Sequence, residues 1–275
     1  MIQFGALDQI SLTGFFVTAV LVILGFLWLG MLFGRARRRR THRKEESPAG
    51  TAAAALLALL AFLLAFTFNI GANRFELRRS LLIEQVNDIN TAYLRASYLP
   101  AEVRDESRAL LYEYVGLFSQ EVIEAEEVPG LLRRAEEIHV KLWGQVDELL
   151  ARDYDAALLK QYVDPLNEML DIFEKRLIVG VLYMIPDAIW FGLFMVSLLA
   201  MFGVGFQFGV AGGTSMQVGL LLALTFSTVL YTIMDLDRAD QGYIRIDQTP
   251  MMRLYQNLGK SRGEAPPSEP GSAQQ

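Results

Sequence analysis

Four apolar blocks, each long enough to cross a bilayer, dominate the hydropathy pattern of the chain. A helix rises 1.5 Å per residue, so about twenty residues cross a hydrocarbon core about 30 Å thick. Leu12 to Phe33 and Thr51 to Ile70 are uncharged runs of that kind. The third stretch, Leu177 to Val210, holds 34 residues and exceeds one crossing. Pro186-Asp187 divides it, with Asp187 placed to cap a helix opening at Ala188 and Trp190 placed as an interfacial aromatic. Spans three and four are therefore predicted near 188–208 and 217–234, joined by an uncharged turn rich in glycine between Gly203 and Ser215.

Between spans two and three the texture changes. Leu82, Val86, Ile89 and Tyr93 follow steps of four, three and four, as do Leu131, Ala135, Ile138 and Leu142, continuing to Val146 and Leu149. That is the period of an amphipathic helix. Breaks at Pro100, Pro129-Gly130 and Pro165 place helices near 72–99, 101–127, 130–152 and 155–185, with Pro165 able to kink the last one instead of ending it. No turn signal stronger than Gly71 precedes the first of these, so span two is predicted to run on into it as one long helix. The predicted fold class is all-α: an integral membrane protein with four transmembrane helices and an antiparallel helical-bundle domain inserted between spans two and three. The predicted division is a transmembrane hairpin (1–71), an acidic extramembrane domain (72–176), the second pair of spans (177–234) and a juxtamembrane segment with a disordered tail (235–275).

Charge sharpens this division. Residues 72–176 carry 13 Lys and Arg against 21 Asp and Glu, a net of −8, which places them in water. Seven basic residues, Arg35, Arg37, Arg38, Arg39, Arg40, Arg43 and Lys44, follow span one directly. They read as a topology determinant and a lipid headgroup anchor. Met1 to Ser11 contains no Lys or Arg, so a cleaved secretory signal is not expected. A formal charge of −6 disfavours nucleic acid as a partner. Cysteine is absent, and His42 and His139 lie far apart in sequence. With no phosphate-binding loop, zinc-protease helix or nucleophile elbow either, neither an enzyme, a cofactor nor a metal is expected. Gly30-x-x-x-Gly34 and Gly205-x-x-x-Gly209 permit close helix contact and so favour oligomerisation, although glycines near span ends more often serve turns.

One polar pattern stands out. Glu84, Asn87, Thr91 and Arg95 form a second face on the first amphipathic helix, and Asn69 and Asn73 precede it. Such a stripe can be an ordinary solvated helix face, but Asn and Thr are weak helix formers, which also points to partners: a pore or ligand surface, or a buried network in which Asn87, Thr91 and Arg95 meet one another or Glu168 and Asp171. The run Asn87 to Pro100, the later Leu166 to Arg176, Ile185 to Trp190 and Met234 to Ile246 occur in an order that resembles the bestrophin-like bacterial membrane proteins, over roughly 65–255. The resemblance implies kinship with bestrophins, pentameric anion channels with four spans and a helical domain. On that basis the chain is expected to form a homo-oligomer, a pentamer in the family's arrangement, that passes small inorganic ions. The last span is followed by Asp235, Asp237, Arg238 and Gly242, an acidic juxtamembrane motif that keeps the glycine of the bestrophin pattern but lacks its consecutive acidic residues. Calcium gating is therefore not implied.

Two functions follow as expectations: an oligomeric ion channel with the polar stripe along its axial path, or a non-conducting, membrane-anchored interaction or sensor module. The short basic loop 35–46 favours the cytoplasm of a bacterial cell, which puts the domain and the tail outside the inner membrane, whereas the resemblance implies a cytoplasmic domain. Alkaline phosphatase fused at residue 270 should then be active; an inactive fusion reverses the orientation.

Overall fold

The computed structural model describes residues 11–40, 49–120, 127–182, 184–212, 216–238 and 242–262. Eight α-helices occur among them: α1 (Leu12–Arg40), α2 (Ala49–Arg95), α3 (Ala101–Leu117), α4 (Val128–Ala151), α5 (Ala156–Leu177), α6 (Asp187–Ala211), α7 (Met216–Asp237) and α8 (Thr249–Ser261). The chain divides into two compact units, one of residues 1–76 and 183–245, the other of residues 77–182 and 246–275.

The first unit holds the four helices that are long and apolar enough to span a bilayer: α1, the N-terminal part of α2, α6 and α7. Lipid tails are as apolar as leucine, so helix association there rests on close van der Waals contact. α1 and α6 achieve it in parallel orientation. A Cβ on Gly30 would run into the carbonyl of Phe202, one on Gly34 into that of Phe206, one on Gly205 into that of Leu27, and one on Gly209 into that of Met31. Both glycine pairs expected to favour oligomers thus join two helices of one chain. α7 packs on α1, with Gly219 against Leu27 and the rings of Phe16 and Tyr231 edge to face, 5.8 Å apart. α2 meets α6 at Ala53 and Gly203, and α7 at Gly71 and Leu236.

Two local expectations change. Pro186 is the capping residue of α6, and Asp187 lies in its first turn without a capping hydrogen bond, so its contribution is limited to the helix dipole. Trp190 is a core residue: it is 3% exposed and packs between Phe15 and Phe194 at 6.1 and 5.8 Å. Parallel docking of α1 along α6 sets Phe15 opposite Trp190 and covers it. Helix α6 continues through Gly203, Gly205 and Gly209 and ends at Gly212, whose φ of 73° is the left-handed cap that glycine adopts without strain.

In the second unit, the C-terminal part of α2 packs with α3, α4 and α5 as an antiparallel bundle around Leu82, Ile89, Leu111, Ile138, Leu142, Leu166 and Met169, all buried. Each such side chain contributes about 1.5–3 kcal/mol by leaving water. The predicted stripes point inward, with Val86 and Leu131 half-buried at the edges. Helix α5 starts where Asp155 accepts the amides of Ala157 and Leu158 at 2.8 and 3.0 Å, and it carries buried Pro165 within its length. It gives way at Ile178–Leu182 to a π-helical turn, so the helix expected over 155–185 is shorter than predicted. Helix α3 also stops early, at Leu117, where Phe118 packs on Tyr114 and Phe173. Thr249–Ser261, read from sequence as juxtamembrane, forms α8 on this unit: Tyr255 stacks on Tyr112 at 4.6 Å, and Ser261 meets the Tyr93 hydroxyl at 3.0 Å. The tail from 263 onwards lies outside the described residues.

Replacing Gly205 by leucine forces α1 and α6 apart. The expected loss is about 2 kcal/mol or more, read as a lowered unfolding midpoint in detergent, whereas Gly25→Leu, where a Cβ meets nothing within 4 Å, should be nearly neutral.

Candidate ion path and carboxylate lock

At 100° per residue, Asn69, Asn73, Glu84, Asn87, Thr91 and Arg95 fall within an arc of about 80° on α2. Asn69, Asn73, Glu84 and Asn87 are exposed, and Thr91 and Arg95 are half-exposed. The buried network considered from sequence is not what α2 forms. Thr91 donates to the backbone carbonyl of Asn87 at 2.8 Å, and Arg95 reaches the carbonyl of Gln161 at 3.0 Å instead of Glu168 or Asp171. Two aromatic residues continue the arc towards the N-terminus: Phe62 and Phe66, 66% and 60% exposed, stack at 6.4 Å. Sequence reasoning missed them because an exposed phenylalanine in a span looks the same whether it faces lipid, a partner or a path. Their angular position sets them in line with Asn69 on α2.

What orients α2 within the second unit is a buried polar hub on its opposite side. Gln85, 1% exposed, donates to the Tyr114 hydroxyl at 2.7 Å and accepts a hydrogen bond from Arg176. Burial raises the pKa of the Tyr114 phenol and lowers that of the Arg176 guanidinium, each away from its charged form. Asp88, beside the polar arc, has its pKa raised to about 6, first by burial and then by Glu168 and Glu84, with Lys175 opposing.

A second cluster closes the end of α7 within the first unit. Asp237, its side chain 6% exposed, accepts Arg74 at 3.2 Å and the Ile185 amide at 2.9 and 3.1 Å. It ties the Pro186 break to α2 and α7. Asp235, 2% exposed, accepts the Tyr243 amide at 3.0 Å, and Arg238 is buried beside them at 5% exposure. A Cβ on Gly242 would collide with the Asp235 carboxylate, which explains why that position needs glycine. These carboxylates are occupied as hydrogen-bond acceptors, and no group of three or more His, Cys, Asp or Glu suited to a metal occurs among the described residues. The basic run splits in two. Arg35 and Arg37 to Arg40 are exposed on the last turns of α1, with Arg37 over the Phe206 ring at 5.9 Å and Arg38 against Gly212. Arg43 and Lys44 lie outside the described residues.

A sequence model of the Bestrophin-like domain matches residues 17–251. The chain belongs to the bestrophin-like family. Among solved structures, a bacterial bestrophin homologue from Klebsiella pneumoniae matches with a TM-score of 0.68 at 15% identity, over 91% of this chain and 99% of that one. A point variant of that homologue matches with a TM-score of 0.67 at 14% identity, over 90% and 99%. At such identity the likeness shows a shared fold. No curated protein sequence matches the chain. The sequence resemblance identified the bestrophin-like family correctly, and the four-span, all-α architecture is that of the bestrophin fold.

The lock predicts its own failure. Gly242→Ala should displace the Asp235 carboxylate and cost about 1–3 kcal/mol, seen as a lower unfolding midpoint in detergent, while Tyr243→Ala, whose side chain is 85% exposed, should leave it unchanged.

Proposed function

We propose that this bestrophin-like membrane protein is one subunit of a homo-oligomeric channel for small inorganic ions, with a preference for anions, and that the exposed polar arc of α2 lines the path. The observation that carries the reading is the position of Asn69, Asn73, Asn87, Thr91 and Arg95 on one outward strip of a single 47-residue helix. Neutral amides can replace part of an ion's hydration shell, and a ring of charge can set its sign. Arg95 spends one N–H on Gln161 and keeps others for an anion. Phe62 and Phe66, repeated by symmetry in each subunit, would form a hydrophobic constriction on the same path. The pentamer is the arrangement that the bestrophin resemblance implies. Glu84 bears the opposite charge to Arg95 three turns away, so the two residues test the path from both sides.

Purified protein in planar bilayers is expected to conduct with a chloride-over-potassium preference. Arg95→Glu should shift the reversal potential towards cations and Glu84→Gln towards anions, both with little change in thermal stability. Absence of conductance under any salt gradient removes this reading and leaves a non-conducting, membrane-anchored interaction module.

A further inference from the structure

The basic run behind span one forms part of a seam between α1 and α6 that is more specific than a collar of charge. Helix α1 continues through Arg40, so its last turns carry Arg35 and Arg37 to Arg40 beyond the apolar stretch that ends at Phe33. Phe33, Arg37 and Arg40 follow steps of four and three and share one face of the helix. On α6, Phe202 and Phe206 are likewise four residues apart. The two helices lie side by side in parallel, and these residues pair as successive rungs. Phe33 packs on Phe202 with ring centroids 5.8 Å apart, and the guanidinium of Arg37 lies over the Phe206 ring at 5.9 Å. Gly34, whose absent Cβ lets α1 touch the backbone of Phe206, holds both rungs in register.

Neither rung is closed. Phe33 is 62% exposed, Phe202 and Phe206 are half-buried, and Arg37 and Arg40 are exposed. A guanidinium stacked on a ring spends its face and leaves its N–H edge for a planar acceptor such as a phosphate. Arg37 and Arg40 make no ion pair among the described residues. Helix α1 contains no Asp or Glu, and the one acid of α6, Asp187, lies at its opposite end. Cations without carboxylates, on a chain whose formal charge is −6, have to find their anion outside it. The lower rung decides what kind. A free inorganic anion would use the arginines and leave an exposed phenylalanine pair beneath them, where the apolar span ends. An amphiphile with a phosphate above and an acyl chain below matches both rungs.

We propose that this seam binds one anionic glycerophospholipid, its phosphate on Arg37 and Arg40 and an acyl chain along Phe33 and Phe202. The site does not depend on conduction, and its test reads binding alone.

Native mass spectrometry of the full chain released from a neutral detergent supplies that test, with phosphatidylglycerol and phosphatidylcholine of identical acyl chains as probes. Phosphatidylglycerol is expected to be retained about fivefold better or more, at one molecule per chain. Arg37→Gln should remove most of that preference, whereas Arg39→Gln, the same change of charge about 160° around the helix, should leave most of it. Phe33→Ala should weaken retention of phosphatidylglycerol, and glycerophosphate in about tenfold excess should not displace it. All three substitutions fall on exposed side chains, so folding is retained. Equal retention of the two lipids, or equal losses in the two arginine variants, overturns the proposal and leaves a diffuse headgroup anchor. Displacement by glycerophosphate, or full retention by Phe33→Ala, overturns it in favour of a site for a free anion.

Discussion

The close approach of α1 to α6 is the contact on which the membrane unit depends. In water, burying leucine would hold two helices together, but in lipid the surrounding tails offer the same contact, and attraction comes from backbones that can touch. Four glycines, at 30, 34, 205 and 209, remove the side chains that would separate those backbones. Phe15 is thereby set against Trp190, and α1 offers its other sides to α7 at Phe16 and Leu27. Asp237 complements this packing at the opposite end of α7, where one carboxylate satisfies the Ile185 amide exposed by the Pro186 break and pairs with Arg74.

The second unit follows different rules because its reference state is water. Leucine, isoleucine and tyrosine burial drives it, and buried polar groups then have to be matched. Gln85 does this for α2: an amide that both donates to Tyr114 and accepts from Arg176 fits one rotation of the helix and fixes which residues turn outward. The exposure of Glu84 and Asn87 is a consequence of where Gln85 is held. The polar face around Glu84 and Asn87 is in this sense a by-product of core matching on the other side of the same helix.

Much of this architecture was legible in the chain because it depends on one-dimensional quantities. The length and lack of charge of Leu12–Phe33 or Thr51–Ile70 answer to the thickness of a bilayer, and the spacing of Ala135, Ile138, Leu142, Val146 and Leu149 answers to the turn of a helix; neither needs a neighbour to be known. Residues whose meaning depends on a partner were read less well. Trp190 has the position of an interfacial aromatic and is a core residue, because Phe15, far away in sequence, covers it. Gly30 and Gly205 have the spacing of an oligomer motif, and they meet each other's helices within one chain.

The sequence by itself determined the four spans, the acidic all-α domain, the amphipathic faces and the resemblance to the bestrophin-like family, since periodicity, charge and local order are properties of neighbouring residues. Only the tertiary structure decided that the two glycine pairs join α1 to α6 and that Asp237 is satisfied by Ile185 and Arg74. The physical reason is common to both. A hydrogen bond or a steric exclusion acts over about 3 Å in space, and residues far apart along the chain come within that range only when it has folded.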